Sequence, residues 1–274
     1  MKTERVDTGD EVVDVAHATT PQFTPEEERV FRLGIEALNN AQIPYLVAGA
    51  FAKYSYTGIW RNTKDLDFFL KAEDVKPAFD ALAAAGFKTE IVYEHWLAKA
   101  HMDPFFIDLI FGLGHGKLRI TDDWFGEKHT FQLAGVQAPL ISIEDLIASK
   151  LYVAERYRFD GADIVHLILR SRGKIDWERV LSRAPRHREL VLWYLVLFDF
   201  IYPGHSEYLP QSLMVRLFDE ARQNWKTEHD PKSFRGTLLD PFSFLVDTED
   251  WGYEDRRDLE PLVDKEGEVL EPEE

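Results

Sequence analysis

The run FFIDLIF, residues 105–111, is the feature that most constrains the fold. Asp108 is its single polar residue, so both faces of a strand built from this run are apolar. Such a strand is typical of the centre of a sheet rather than its edge. The run therefore predicts a sheet buried on both sides, with one carboxylate inside it.

Other segments up to residue 140 have the periodicity of strands and helices. The first helix is predicted in TPEEERVFRLGIEALNNAQ, which opens with Thr24 and Glu27 in a capping-box arrangement. Short apolar or alternating runs predict strands at PYLV, DLDFFLK, KTEIVY and TFQLAGV, and helices follow Gly49 and in EDVKPAFDALAAAG. The pattern predicts a mixed α/β domain over residues 24–140.

After Pro139 the pattern becomes helical and predicts a helical domain over residues 141–245. The segments predicted as helices are SIEDLIASKLYVAERYR, GADIVHLILRSR, WERVLSRA, HRELVLWYLVLFDFIY and LPQSLMVRLFDEARQNW. Residues 1–23 resemble a flexible leader, and residues 246–274 form an acidic tail. We expect the first part of that tail to dock on the body of the protein through aromatic residues in and just before it. These are Phe242, Phe244, Trp251 and Tyr253. The fold class is thus α+β.

The amino-acid composition indicates the kind of protein and the cellular compartment to expect. The chain has 274 residues, of which 45% are apolar and 30% charged, enough for a substantial core. It contains no cysteine, which excludes disulfides and suits a reducing cytosol, so a cytoplasmic location is expected. The longest apolar stretch, Leu190 to Tyr202, is short for a membrane span and is interrupted by Asp199, so it predicts a buried helix and no membrane role.

Negative charge dominates the chain and is concentrated at its end. The formal charge is −17, and residues 246–274 hold 13 acidic and 3 basic side chains, so −10 lies there and −7 in the remainder. This balance repels phosphate backbones and disfavours an extended nucleic-acid surface. An anionic substrate would have to be met by a few placed cations or by metal ions.

Two aspartates stand one residue apart in NTKDLDFFL, residues 62–70. In a strand, Asp65 and Asp67 share one face with Phe69, while Leu66, Phe68 and Leu70 share the other. The alternative to a functional pair is a strand whose solvated face happens to be acidic. Asp108 has an alternative as well, since an aspartate near a strand end can bond to the backbone.

If the two strands are neighbours, Asp65, Asp67 and Asp108 converge at one place. Three carboxylates so close repel one another unless a multivalent cation joins them. Hard oxygen ligands favour Mg²⁺, or Mn²⁺ in its place. The sequence therefore predicts a divalent metal site made by these three side chains.

Candidate anion-binding groups lie on either side of the aspartate pair. In VAGAFAK, Gly49 ends a strand and begins a helix, where backbone N–H groups can face phosphates, although a lone glycine can equally mark an ordinary turn. Lys53 and Arg61 could supply positive charge to a triphosphate, or could simply be solvated.

A third cation lies further along the chain, in SIEDLIASKLYVAERYR. Lys150 falls near the middle of the apolar arc of this predicted helix, so its ammonium must either extend to solvent or meet a phosphate or carboxylate. Asp160 comes next, where an N-cap belongs, and Asp163 lies in the first turn of the following predicted helix; capping would explain both and is favoured for Asp163.

Several familiar motifs are absent from the sequence. FGLGHGK lacks the order of a P-loop, and the nine histidines show no metal-binding spacing. No G-x-S-x-G elbow is present, which leaves no support for a serine hydrolase.

Taken together, VAGAFA, the D-x-D after GIWRNTK, the lone aspartate in an apolar strand and the helix with an inward lysine resemble the DNA polymerase β-type nucleotidyltransferase superfamily. The resemblance covers about residues 24–170 and is strongest to minimal nucleotidyltransferases and abortive-infection toxins of bacteria. It implies a nucleotidyltransferase-type mixed sheet followed by a helical half. One position departs: the family usually has Gly-Gly or Gly-Ser at the turn, and here the second residue is Ala50.

The resemblance also implies a two-metal mechanism. Asp65 and Asp67 would hold the ion that carries the triphosphate, and all three aspartates a second ion that lowers the pKa of an acceptor hydroxyl. Asp108 would be the general base, and the groups expected to bind nucleotide are Gly49, Ala50, Lys53, Arg61 and Lys150. The acceptor, whether protein, small molecule or RNA end, and a regulatory partner are left open.

Two other functions compete with nucleotidyl transfer. A nucleotide-binding or partner-binding module could keep the fold without activity, and Ala50 favours that alternative whereas the intact aspartate trio opposes it. A metal-dependent phosphodiesterase also uses two metals, but it usually has histidines or further carboxylates in its site and a basic surface for its polymer.

Overall fold

The structure is a computed structural model that describes residue 21 and residues 23–61, 63–113, 118–126 and 129–255. The predicted leader at 1–23 and the tail beyond 255 lie almost entirely outside these residues. Within the described ranges, no helix has both the length and the apolar character that crossing a bilayer requires.

A seven-stranded mixed sheet forms the centre of the described part of the chain. Its strands are β1 Leu46–Val47, β2 Asp65–Phe69, β3 Lys88–Tyr93, β4 Leu97–Met102, β5 Phe105–Ile110, β8 His129–Leu133 and β9 Val136–Leu140. They lie in the order β3-β4-β5-β2-β1-β9-β8. The pairs β2–β5 and β1–β9 are parallel, and the other neighbours are antiparallel. Strand β5 has a neighbour on each side, as its apolar sequence predicts.

The sheet differs from the sequence prediction at two places. Strand β4, LAKAHM, is missing from the predicted strands because its small alanines and its charged Lys99 interrupt the apolar signal. TFQLAGV was predicted as one strand, which is wrong: Ala134 and Gly135 have positive φ and form the turn between β8 and β9.

Among the residues that the structure describes, three further two-stranded ladders lie outside the main sheet. They pair β6 Gly112–Leu113 with β7 Leu118–Arg119, β10 Ala154–Glu155 with β11 Arg158–Phe159, and β12 Ser233–Phe234 with β13 Glu254–Asp255. The β10–β11 hairpin corrects the long helix predicted for SIEDLIASKLYVAERYR, whose helical part ends at Lys150. The chain there turns back so that its polar residues line a cleft.

Helices cover the sheet and form the second half of the described chain. Their bounds are α1 Pro25–Asn40, α2 Gly49–Thr57, α3 Val75–Ala84, α4 Ile143–Lys150, α5 Gly161–Ser171, α6 Trp177–Arg183, α7 Arg188–Ile201, α8 Gln211–Asn224 and α9 Leu245–Glu249. The capping box predicted for α1 is present at Thr24 and Glu27. Helix α1 packs closely on β5, since a Cβ added at Gly34 would lie 2.2 Å from Ile107 Cδ1. Because side chains alternate along a strand, Asp108 faces the opposite side of the sheet.

One hydrophobic core runs from the sheet into the helices, where Leu146, Ile164 and Leu195 join the side chains beneath the strands. The domain boundaries at residues 140 and 245 stay a prediction.

At the start of the acidic tail, Tyr253 packs on Phe234 at 5.5 Å between ring centroids, and Phe244 does so at 5.8 Å. Phe242 and Trp251 are instead 85% and 66% exposed, so docking of the tail on the body stays a prediction.

Candidate active site

Three carboxylates meet on one face of the sheet. In the parallel pair β2–β5, Asp67 is directly opposite Asp108, so their side chains lie side by side on one face. Asp65 is two residues before Asp67 and therefore shares this face. One oxygen from each of the three side chains lies within 4.8 Å of the others. We call Asp65, Asp67 and Asp108 the carboxylate cluster.

The cluster is electrostatically costly in the absence of a cation. Burial, together with the neighbouring Asp65 and Asp108, raises the pKa of Asp67 to about 7. Burial also raises the pKa of Asp108, although a hydrogen bond from Lys99 acts in the opposite direction. Asp65 accepts a hydrogen bond from the Thr63 hydroxyl, which fixes its orientation.

Gly49 allows this arrangement by having no side chain. It begins helix α2 with φ of +56°, and a Cβ added there would lie 1.7 Å from Asp67 Oδ2. The carboxylate thus lies directly against the first turn of the helix. Gly49 and Ala50 line the cleft, and this end of α2 has no side-chain cap.

Two buried lysines, Lys53 and Lys150, form ion pairs with Asp160 and Asp163. Lys53 pairs with one of these aspartates and Lys150 with both. Lys53 Nζ lies 2.7 Å from Asp163 Oδ1, and Lys150 Nζ lies 2.7 Å from Asp160 Oδ2 and 3.0 Å from Asp163 Oδ2. Burial would raise the pKa of Asp163, but Lys150 and Lys53 hold it below its ordinary value. We call these four residues the lysine–aspartate network.

The carboxylate of Asp160 pairs with a lysine instead of capping a helix, whereas Asp163 lies in the first turn of α5 as predicted. Asp160 is the residue before α5, yet its side chain makes no capping hydrogen bond. Its carboxylate instead bonds to Lys150 and, at 3.5 Å, to Arg158 Nε of the β10–β11 hairpin. The inward lysine of α4 therefore meets carboxylates, one of the alternatives that its position in the helix left open.

Lys99 is a site residue that the sequence does not reveal. It lies on β4 directly opposite Asp108, and its Nζ is 2.7 Å from Asp108 Oδ1. The signal that could have found it is the alternation of Leu97, Lys99 and His101 with small residues, which is typical of a strand with one apolar and one mixed face. The hairpin residues Arg158 and Glu155 were missed because their segment was predicted as helix.

All of the predicted site residues line one cleft of about 610 Å³. It receives four basic and six acidic side chains, a formal charge of −2. These are Lys53, Arg61, Lys150 and Arg158, and Asp65, Asp67, Asp108, Glu155, Asp160 and Asp163. Arg61 is exposed within it, which leaves its guanidinium accessible to a ligand.

The donor set fits a divalent cation of the hard type. Three carboxylate oxygens close together, partly buried and mutually repelling, are the ligands that Mg²⁺ or Mn²⁺ prefers. Gly49 also lies against the Asp67 carboxylate. Because it has no side chain, a bound phosphate can approach its backbone closely.

Three solved structures illustrate what the chain is similar to. The lincosamide antibiotic adenylyltransferase LnuA is 16% identical with a TM-score of 0.37, covering 54% of this chain and 98% of its own. The antibiotic-resistance factor ANT(2″)-Ia is 16% identical with a TM-score of 0.43, covering 63% and 97%. An antigenic nucleotidyltransferase-like protein from Paracoccidioides brasiliensis is 15% identical with a TM-score of 0.43, covering 68% and 93%.

Sequence families give a firmer assignment. No curated protein sequence matches the chain. The model of a family described as "Uncharacterised nucleotidyltransferase" matches residues 35–198, which is more than half of the chain and includes the whole carboxylate cluster. The chain therefore belongs to this nucleotidyltransferase family.

Proposed function

We propose that the protein transfers a nucleoside monophosphate from a nucleoside triphosphate to an acceptor hydroxyl, with Mg²⁺ or Mn²⁺ held by Asp65, Asp67 and Asp108. The observation that carries this proposal is the convergence of three carboxylates within 4.8 Å in a cleft of a nucleotidyltransferase family member. Divalent ions bound there would neutralise the carboxylates, hold the triphosphate and lower the pKa of the acceptor hydroxyl.

The first turn of α2 and the nearby cations bind the nucleotide. The amides of Gly49 and Ala50 face the phosphates, and Arg61 adds an exposed guanidinium. An ammonium has three donors. Lys53 contacts one carboxylate and Lys150 two, so each keeps a donor for a phosphate oxygen while its charge is balanced by the aspartates.

The reaction is a displacement at the α-phosphorus. The acceptor oxygen forms a bond to this phosphorus, the bond from phosphorus to the bridging oxygen of the β-phosphate breaks, and pyrophosphate leaves. Asp108 accepts the hydroxyl proton, the role that the resemblance to the superfamily implies for the third carboxylate. Positioning of the two substrates and balance of charge supply most of the rate enhancement.

Ala50 supports a second candidate, a module that binds nucleotide without transferring it. A serine at this position could donate a hydroxyl to the terminal phosphate, whereas alanine offers its backbone N–H alone. The carboxylate cluster opposes this candidate, because a pure binder has no need to keep three mutually repelling aspartates.

The test is incubation of the protein with each α-labelled nucleoside triphosphate and Mg²⁺ or Mn²⁺, in the presence of candidate acceptors. We expect label on an acceptor and an equal amount of pyrophosphate. Mass spectrometry then identifies the acceptor as a small molecule, a protein hydroxyl or an RNA end, of which the acidic surface disfavours the last.

The controls separate the three functions. The double variant Asp65→Asn, Asp67→Asn should release no pyrophosphate, while Asp80→Asn, which removes an exposed carboxylate paired with Lys76, should match the parent. Nucleotide binding without pyrophosphate would indicate the binding module. Hydrolysis of a phosphodiester without pyrophosphate would indicate a phosphodiesterase.

A further inference from the structure

Lys99 is joined to the carboxylate cluster by the register of the sheet. Strand β4 pairs with β5 so that Lys99 lies opposite Asp108, and its Nζ is 2.7 Å from Asp108 Oδ1. The ammonium also lies 4.1 Å from the centre of the Phe106 ring, a cation–π distance that holds the side chain over β5. The Lys99 side chain is 22% exposed, so water screens its charge only in part.

The two lysines that line the cleft are placed differently from Lys99. Lys53 and Lys150 bond to Asp160 and Asp163, whose two negative charges balance their two positive charges. Lys99 instead bonds to a member of the carboxylate cluster itself. It lowers the formal charge of that cluster from −3 to −2, which is the charge that one divalent ion balances.

A positive charge at this distance opposes the binding of a divalent ion. An ion bound to Asp108 would lie roughly 5 Å from the ammonium, since a metal–oxygen bond of about 2 Å adds to the nitrogen–oxygen distance. Even at the dielectric constant of water, a single charge repels a divalent ion at ~5 Å strongly enough to weaken its binding by about tenfold. Triphosphate oxygens bring negative charge that offsets this repulsion.

We propose that Lys99 is a positioning residue that keeps ion binding at Asp108 weak until a nucleotide is bound. This inference rests on the proposed function, because it requires the carboxylate cluster to bind divalent ions. Lys99 bonds to Oδ1 of Asp108. The nucleotide-free protein then binds an ion at Asp108 about tenfold more weakly than it would without this ammonium.

The test measures Mn²⁺ binding to the nucleotide-free protein by calorimetry or by the electron paramagnetic resonance of free Mn²⁺. Lys99→Met should bind Mn²⁺ about tenfold more tightly than the parent, because it removes the repulsion. Lys99→Arg keeps the charge and should bind like the parent. Lys76→Met removes a lysine that is 81% exposed and paired with Asp80, and it should also bind like the parent.

A second measurement repeats the titration with a saturating α,β-methylene analogue of the nucleotide that the parent binds. The difference between Lys99→Met and the parent should shrink to less than about threefold, since the triphosphate supplies the missing charge. Lys99→Gln, which retains a hydrogen-bond donor near Asp108, provides a substitute if circular dichroism shows that Lys99→Met is misfolded.

The outcomes distinguish the two proposals. Equal or weaker Mn²⁺ binding by the folded Lys99→Met or Lys99→Gln variant would overturn the role of Lys99 and leave the nucleotidyltransferase proposal intact. A parent protein that binds no Mn²⁺ with or without nucleotide would overturn both.

Discussion

Two ionic clusters lie in the same cleft and differ in their balance of charge. The carboxylate cluster has three negative charges and one adjacent ammonium, that of Lys99. The lysine–aspartate network has two lysines and two aspartates, and its four side chains are each 10% exposed or less. One cluster carries excess charge, whereas the other is neutral.

This difference indicates that the lysine–aspartate network stabilises the fold, whereas the carboxylate cluster is suited to binding a cationic ligand. The network ties α2, α4 and α5 together, because Lys53, Lys150 and Asp163 belong to these three helices. Its charges are satisfied within the protein, so removing one leaves a buried charge unpaired. The carboxylate cluster keeps excess negative charge even beside Lys99, so removing one of its charges relieves repulsion. Substitutions of the same kind should therefore change stability in opposite directions.

The largest effect is expected for Asp163→Asn. Two buried ammonium groups lose their shared carboxylate, and breaking a buried pair in this way costs about 3 kcal/mol or more of unfolding free energy. Urea denaturation measures the change, with Asp80→Asn as the control for loss of an exposed aspartate. A loss as small as that of the control would mean that the network does not hold the helices together.

Gly49→Ala should have the next largest effect. The added Cβ would lie 1.7 Å from Asp67 Oδ2, and the backbone has a φ of +56°, which alanine adopts at a cost. Displacement of the carboxylate and this strain together should lower the unfolding free energy by about 2 kcal/mol and weaken Mn²⁺ binding.

Gly58→Ala is the matched control for Gly49→Ala. Its φ is +72°, but a Cβ there meets nothing within 4 Å, so it carries the strain without the clash. We expect it to lose about 1 kcal/mol and to bind Mn²⁺ like the parent. If both variants lose Mn²⁺ binding equally, the contact between Gly49 and Asp67 has no special role.

The sequence predicts the carboxylate cluster well because strand periodicity fixes which side chains share a face. The alternation in DLDFFL places Asp65 and Asp67 together, and the apolar run around Asp108 requires a central strand. The step that the sequence leaves open is the pairing of β2 with β5, which depends on the order of strands in the sheet. The resemblance to a known superfamily, which implies that the three aspartates share one site, is what favours this pairing.

The partners of these residues could not be predicted in the same way. Lys99 reaches Asp108 through the register of β4, a strand with a weak sequence signal. Asp160 and Asp163 reach Lys150 because the chain reverses at the β10–β11 hairpin, where helical periodicity predicted a continuous helix. Ion pairs between residues from separate elements depend on tertiary packing, which local propensity does not contain.

Asp67→Asn should increase stability in metal-free protein. A carboxyl whose pKa is raised to about 7 in the folded state binds its proton more tightly when folded than when unfolded. Its destabilising effect is therefore absent below about pH 4, grows as the pH rises towards 7 and remains above it. The variant lacks this effect, so it should exceed the parent in stability at pH 8 by about 2 kcal/mol, a value reduced for partial solvent screening.

Thermal unfolding in EDTA at pH 5 and pH 8 tests this expectation. The melting temperature of Asp67→Asn should exceed that of the parent at pH 8 by a few degrees, and by clearly less at pH 5. Adding Mn²⁺ should stabilise the parent more than the variant, since the variant has lost a ligand. A variant less stable than the parent at pH 8 would show that the cluster is balanced within the protein.

The smallest effect is expected for Arg158→Met. This variant tests whether solvent exposure weakens an ion pair to Asp160, a member of the lysine–aspartate network. Arg158 and Lys150 both bond to Asp160, but the Arg158 side chain is 62% exposed and that of Lys150 is 8% exposed. Water screens the arginine, so its loss should change the unfolding free energy by less than about 0.5 kcal/mol, whereas Lys150→Met should cost several times more. Urea denaturation of the two variants compares them directly. Equal losses of unfolding free energy would mean that burial does not set the strength of these ion pairs. The opposite effects of substitutions in the two clusters would then have to come from their charge balance alone.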